Sequence, residues 1–248
     1  MKFLFYPIEK VREYGWTADL FVSLTRSRQR NSRRNRVVEG RFLLTGPARS
    51  GNTFASYTIR ELLEVTDFVH HNHTIAILKK ATQIGIPIYI LFREPDKVVL
   101  SNALYASSRS SQFSWPFNKI NRQSQLMLDY YLYRWIRYYR FALSMDGVTF
   151  FNATDLFAQP YIVAKKISAD CDLELRSDRP DLSKSYQAKK RAQSIRQSNQ
   201  VGAGIPTKEK EIAKEKLKHL VEKSRYYPET LALYQRLHDA RYVGPTDV

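Results

Sequence analysis

The stretch Arg41-Phe42-Leu43-Leu44-Thr45-Gly46-Pro47-Ala48-Arg49-Ser50-Gly51-Asn52-Thr53 decides the fold. Its first six residues form a short apolar run that ends in glycine, which predicts a buried strand entering a tight turn. Beyond the second glycine, Asn52 to Glu64 carries Phe54, Tyr57, Ile59, Leu62 and Leu63 at roughly the 3.6-residue period of a helix. A strand, a glycine-bearing loop and a helix therefore follow one another. The pattern recurs downstream. Thr66 to His70 is a candidate strand, and Thr74 to Ile84 places Ile75, Ile77, Leu78, Ala81 and Ile84 at helical spacing. Pro87 to Phe92 is a continuous apolar run of strand length, with Pro95 where a helix would start. Strands alternating with helices of about 10 to 15 residues build βαβ units, so the expectation is an α/β fold. Its central, mainly parallel sheet is covered on both faces, in three αβα layers.

The rest of the chain extends this frame. Ser107 to Asn121 turns to Ser, Arg, Asn and Pro116 and reads as a loop. Gln123 to Ser144 is a long helix in which Tyr130, Tyr131, Tyr133, Trp135, Tyr138, Tyr139 and Phe141 interleave with Arg134, Arg137 and Arg140. Such a pattern can stack nucleic-acid bases, but the favoured reading makes the rings core and the arginines its wet edge. Val148 to Phe151 reads as a strand and Pro160 to Ala169 as a helix. Arg176 to Val201 is polar and basic, a loop or lid, and Thr207 to Lys223 is a charged helix with Thr207 as N-cap. No internal repeats are visible. Residues 1–40 stand apart, because Arg26, Arg28, Arg30, Arg33, Arg34 and Arg36 fall within eleven residues. That density of like charge predicts a solvated basic N-terminal extension, or else a docking arm for an anionic partner. The ordered domain is expected over 41–248. Val11 to Leu24 is a candidate short helix.

Composition bounds the function. The 248 residues are 43% hydrophobic and 26% charged, ordinary for a chain with a substantial core, so wholesale disorder is excluded. Lys and Arg number 40 against 24 Asp and Glu, a balance of +16. Such an excess attracts anions: nucleic acid, an anionic lipid surface, a polyanionic substrate or a phosphorylated cofactor. One cysteine, Cys171, excludes an internal disulfide framework and a Cys-rich zinc site, and suits a reducing compartment. Ile86 to Phe92 is only seven residues and contains Pro87, far short of the roughly 18–20 apolar residues of a membrane span. The expected location is cytoplasmic.

The segment from Gly46 to Thr53 is the most informative chemically. A glycine turn between strand and helix presents backbone N–H groups at the positive end of the helix dipole, where they cradle phosphate. The nucleotide-kinase version, G-x-x-x-x-G-K-[ST], uses its lysine to reach the terminal phosphates. Here the glycine frame is kept, Asn52 occupies the lysine position, and the cation has moved to Arg49.

That displaced cation resembles the 5′-phosphosulfate loop of the sulfotransferases, enzymes that use the sulfate donor 3′-phosphoadenosine 5′-phosphosulfate (PAPS). The family grips the donor's 3′-phosphate with an arginine at the end of a later strand and a serine eight residues on. This chain has Arg93 after its apolar strand and Ser101 at that spacing. A third stretch, Phe150-Phe151-Asn152-Ala153-Thr154-Asp155-Leu156-Phe157-Ala158-Gln159-Pro160, resembles the family's strand, acidic-Leu pair and proline-initiated helix. Asp155 would there be an N-terminal cap or loop brace. The resemblance covers about residues 41–165 and implies the P-loop-NTPase-like sulfotransferase fold. It also implies transfer of a sulfuryl group from PAPS to a hydroxyl or amine acceptor, leaving 3′,5′-diphosphoadenosine.

The resemblance further implies roles. Arg49, Ser50, Gly51, Asn52 and Thr53 would hold the 5′-phosphosulfate, with Arg49 and the loop N–H groups stabilising the leaving oxygen. Arg93 and Ser101 would hold the 3′-phosphate. Removal of the acceptor proton, as its oxygen attacks sulfur in line, calls for a base with a pKa near neutrality. His73 is the first candidate and His71 the second, since alternation along a strand turns the two to the same side. Glu61 and Glu64 lie well along the first helix and face away. Arg196 with Gly202-Ala203-Gly204 weakly resembles the family's C-terminal donor loop. No metal is required. The acceptor is a small molecule or glycan, with its pocket in the loops 107–121 and 176–201, and oligomeric state is not legible. Two alternatives stand beside this reading: a non-catalytic module binding polyanions or nucleic acid, which would leave the Arg93/Ser101 spacing unexplained, and a P-loop kinase, which Asn52 weakens.

Overall fold

The computed structural model describes residues 40–70, 73–107, 124–176, 186 and 208–244. Four strands are described: β1 Leu43–Thr45, β2 Val69–His70, β3 Ile88–Phe92 and β4 Val148–Asn152. Eight helices join them: α1 Asn52–Leu63, α2 Ile75–Ile84, α3 Pro95–Ser107, α4 Gln125–Leu143, α5 Ala153–Ala158, α6 Pro160–Cys171, α7 Lys208–Glu222 and α8 Tyr227–Asp239. The basic segment 1–39, with its arginines and candidate helix, lies outside the described residues, as does Thr207.

The strands form one all-parallel sheet in the order β2-β1-β3-β4. Register is set by Leu43 opposite both Val69 and Ile88, Thr45 opposite Ile90, and Phe92 opposite Asn152. All five residues of β3 are buried, as a central strand covered on two faces requires. The two-residue alternation of the strands divides them between two cores. On one face Leu43, Ile88, Ile90, Phe92 and Phe150 pack with α2, α3, α4, α7 and α8. On the other Phe42, Leu44, Tyr89, Leu91 and Phe151 pack with α1, α5 and α6. The chain is thus α/β, with helices on both sides of a parallel sheet.

The β1–β3 neighbourhood positions everything that follows. α1 leaves β1 toward one face and α3 leaves β3 toward the other, since their buried residues belong to opposite cores. Connections that diverge from adjacent parallel strands open a crevice at the strands' carboxyl ends, where ligands of such sheets bind.

The aromatic helix α4 is largely core: Trp135, Tyr138 and Tyr139 are buried, and Trp135 lies 4.4 Å from Tyr139 between ring centroids. Two helices depart from the sequence expectation. α5 spans six residues, too few to show a helical period, and is held by Asn152, whose Oδ1 accepts from the Thr154 N–H at 2.8 Å. Asp155 is therefore not the cap; it pairs with Arg241 at 3.3 Å and braces the chain's return along β4. α8 buries Thr230, Leu233 and Leu237 and starts with a proline in its first turn, beyond the last helix expected from the sequence. The expected strand from Thr66 shrinks to Val69–His70, because β1 offers partners only at Leu43 and Leu44. Among the described residues, no helix is long and apolar enough to cross a membrane.

Candidate functional site

The two glycines of the loop are required for different reasons. A Cβ on Gly46 would lie 2.3 Å from the Leu91 carbonyl oxygen, so only glycine lets β1 pass this close to β3 as it turns. Gly51 takes φ 88° as N-cap of α1, in the left-handed region, and has no side chain with which to cap the helix's first N–H groups. Between them Arg49 also adopts a left-handed backbone, φ 75°. For a non-glycine residue that conformation costs on the order of 1–2 kcal/mol. The surrounding hydrogen bonds hold it.

Those bonds come from residues of several elements. Asn52 donates through Nδ2 to the carbonyls of Gly46 at 3.2 Å and Pro47 at 3.0 Å, and the Ser50 N–H donates to Pro47 O at 3.1 Å. Asn102 of α3 donates to Ala48 O at 3.3 Å. Tyr139 of α4 donates to Leu91 O at 2.7 Å, and the Ser50 hydroxyl lies 3.4 Å from the Tyr139 oxygen. Burial pushes the Tyr139 phenol well above its ordinary pKa, so it stays protonated and Ser50 is the donor between the two. Ser50 and Asn52 are thus buried braces of the turn, while Thr53 is exposed at the start of α1.

Arg49 reaches across the crevice. Its Nε donates to Ser101 Oγ at 2.9 Å, joining the β1–α1 loop to the second turn of α3. Arg93 leaves the carboxyl end of β3, the strand beside β1, so residues 49 and 93 stand on one margin of the sheet. Arg93 is partly countered by Glu94, whose Oε2 lies 3.6 Å from its Nε, while Lys97 donates to Glu94 Oε1 at 2.6 Å. Burial works to raise the Glu94 carboxyl, but the Lys97 hydrogen bond and the charges of Lys97 and Arg93 outweigh it and hold the group below its ordinary value.

Beside the loop lies a cleft lined by Pro47, Ala48, His73, Asn102, Arg134 and Arg137, with Trp135 in its wall. His73 sits half-buried just before α2. His71, Arg196 and Gly202 lie outside the described residues, as does almost all of the two loops expected to shape an acceptor pocket. Of the second loop, Arg176 and Tyr186 are described. Tyr186 packs its ring 5.2 Å from Phe54 and 5.5 Å from Tyr57, between centroids, at the start of α1. Glu61 is half-exposed on α1, and Glu64 pairs with Arg176 at 3.2 Å, away from this margin. Cys171 packs against the core formed with α1, α5 and α6, where burial pushes its thiol up.

Asn102, Tyr139 and Glu94 shape the site and were not singled out in the sequence. Asn102 follows Ser101 directly, so its turn of α3 was the available signal; the Tyr139 bond spans 48 positions and left none. No protein-family model matches the chain, and neither a curated protein nor a solved structure does.

Proposed function

We propose that this chain is a PAPS-dependent sulfotransferase acting on a hydroxyl or amine acceptor, with the P-loop-like fold of that family. The observation that carries the reading is the 2.9 Å hydrogen bond from Arg49 to Ser101, with Arg93 leaving the neighbouring strand at the same sheet margin. Residues matched to the two ends of an adenosine bisphosphate on sequence grounds alone, 52 positions apart, meet in the fold. A P-loop kinase is less well supported, because Asn52 spends its amide on the loop's own carbonyls.

In this reading the acceptor oxygen attacks sulfur, the bond from sulfur to the bridging phosphate oxygen breaks, and the bisphosphate leaves with that electron pair. Arg49 stabilises the charge developing on the leaving oxygen; such preorganised donors contribute on the order of 10²- to 10³-fold each. Arg93 and Ser101 hold the 3′-phosphate, which must draw Arg93 away from Glu94. His73 takes the acceptor proton, supported by its place in the cleft beside Ala48. A cytoplasmic location belongs to the same proposal and rests on the lone cysteine.

Thermal melting with 3′,5′-diphosphoadenosine, ATP or duplex DNA at physiological salt separates the readings. A ligand at 100 times its dissociation constant adds about 2.7 kcal/mol, several degrees for a chain of this size. The bisphosphate is expected to raise the midpoint and ATP is not; the reverse defeats the proposal. His73→Ala is expected to keep that shift and lose sulfate transfer from PAPS, measured with a panel of phenolic and saccharide acceptors. Full activity in the variant moves the base to His71 or to another group.

A further inference from the structure

Tyr234, in the middle of α8, stands where β3 and β4 end. Phe92 closes β3 and lies in register with Asn152, which closes β4. The Tyr234 ring is 5.8 Å from that of Phe92, edge to face, and its hydroxyl oxygen accepts from Asn152 Nδ2 at 3.4 Å. The direction of that bond is fixed, because Asn152 Oδ1 is already taken by the Thr154 N–H at 2.8 Å. Only the amide nitrogen is left to face the phenol. The rest of the side chain is half-buried against the core that holds Leu233 and Leu237.

A phenol gives one proton as well as receiving bonds at its oxygen. Asn152 occupies the oxygen, and among the described residues the Tyr234 proton meets no acceptor. Burial raises the phenol above its ordinary pKa and the Glu94 charge adds to this, while the Asn152 bond and Lys97 work the other way. The proton is therefore present throughout the physiological range. The influence of Glu94 and Lys97 also sets the hydroxyl close to the start of α3, directly after Arg93. Arg93 itself makes no hydrogen bond among the described residues, and its ion pair with Glu94 is stretched to 3.6 Å. A charged donor and a neutral one thus stand unspent at the ends of neighbouring strands, on the margin where ligands of such sheets bind.

We infer that Tyr234 binds the 3′-phosphate, donating its hydroxyl proton to an oxygen of the phosphate that Arg93 holds, with Asn152 as the positioning residue that leaves this proton to the ligand. The inference rests on the sulfotransferase reading of the site. An ionised phosphate oxygen is a stronger acceptor than a neutral one, and a nucleotide without the 3′-phosphate leaves the hydroxyl unpaired. Tyr234 therefore sets part of the preference for a bisphosphate over a monophosphate.

The test titrates 3′,5′-diphosphoadenosine and 5′-AMP, which differ only in the 3′-phosphate, into the full chain and into Tyr234→Phe by calorimetry at physiological salt. Phenylalanine keeps the ring against Phe92 and removes only the hydroxyl. The variant is expected to bind the bisphosphate about tenfold more weakly and 5′-AMP as before, with an unliganded melting midpoint close to that of the wild type. Unchanged bisphosphate binding overturns the inference. So does a loss shared equally by 5′-AMP, or one accompanied by a collapse of the unliganded midpoint, since either would mark a phenol that serves only the fold. If the wild type itself fails to prefer the bisphosphate to 5′-AMP, the sulfotransferase reading falls and this inference falls with it.

Discussion

Arg49 Nε and Ser101 Oγ lie 2.9 Å apart across the crevice between β1 and β3. The bond ties the loop after one strand to the helix after its neighbour, and it preorganises a left-handed arginine that would otherwise relax. A bound bisphosphate would thus meet one coupled unit.

Coupling of this kind is measurable. Hydrogen bonds to charged groups contribute about 1.5–3 kcal/mol, so Ser101→Ala is expected to weaken 3′,5′-diphosphoadenosine binding by about tenfold or more. Arg49→Lys, which loses the planar fork, is expected to do at least as much. The double variant should lose clearly less than the two single effects summed, because each removes the other's partner. Calorimetric titration of all four proteins decides this. Strict additivity would mean that the two side chains act independently.

Glu94 lies 3.6 Å from Arg93, the residue proposed to hold a 3′-phosphate. Its folded pKa is lowered from the ordinary 4.5, so the carboxylate's contribution to stability is fully present above that value. That contribution is lost as the pH falls through the lowered folded value. Glu94→Gln is therefore expected to flatten the stability-against-pH curve below about pH 5, followed by urea unfolding. The same variant is expected to bind the bisphosphate several-fold more tightly at neutral pH, since Arg93 no longer has to leave a carboxylate. Weaker binding would show that Glu94 orients Arg93 instead of competing for it.

Much of this was legible in the chain because it follows from periodicity. The apolar runs at Phe42–Thr45 and Pro87–Phe92, each followed by a helical pattern, imply parallel strands whose carboxyl ends share an edge, and Arg49 and Arg93 follow from that. What periodicity cannot carry is the direction of a side chain within a turn. Asn52, expected to face a phosphate, turns back on Gly46 and Pro47, because a buried loop must satisfy its own carbonyls first. The basic lining of the cleft was also hidden. Arg134 and Arg137 looked like the wet edge of an aromatic helix, and only the fold brings them into one cleft with His73 and the start of α2.

The last expectation concerns what holds the loop in place. Gly46 has room for no side chain: a Cβ would meet the Leu91 carbonyl oxygen at 2.3 Å and its carbon at 3.1 Å, both backbone atoms of the central strand. Strand β3 is paired on both sides and cannot yield without breaking ladder bonds to β1 or β4. Gly46→Ala is therefore expected to cost about 3 kcal/mol, the upper part of the usual range for overpacking. Gly85 is the counterpoint. It has φ 71° and nothing within 4 Å of a Cβ, so Gly85→Ala should cost only the left-handed penalty of about 1 kcal/mol. Urea midpoints of the two variants are expected to differ accordingly, and Gly46→Ala alone should lose the melting shift with 3′,5′-diphosphoadenosine, because the turn it displaces carries Arg49. Equal destabilisation would mean that β1 can move away from β3, and the close approach of the two strands would then not be what positions the site.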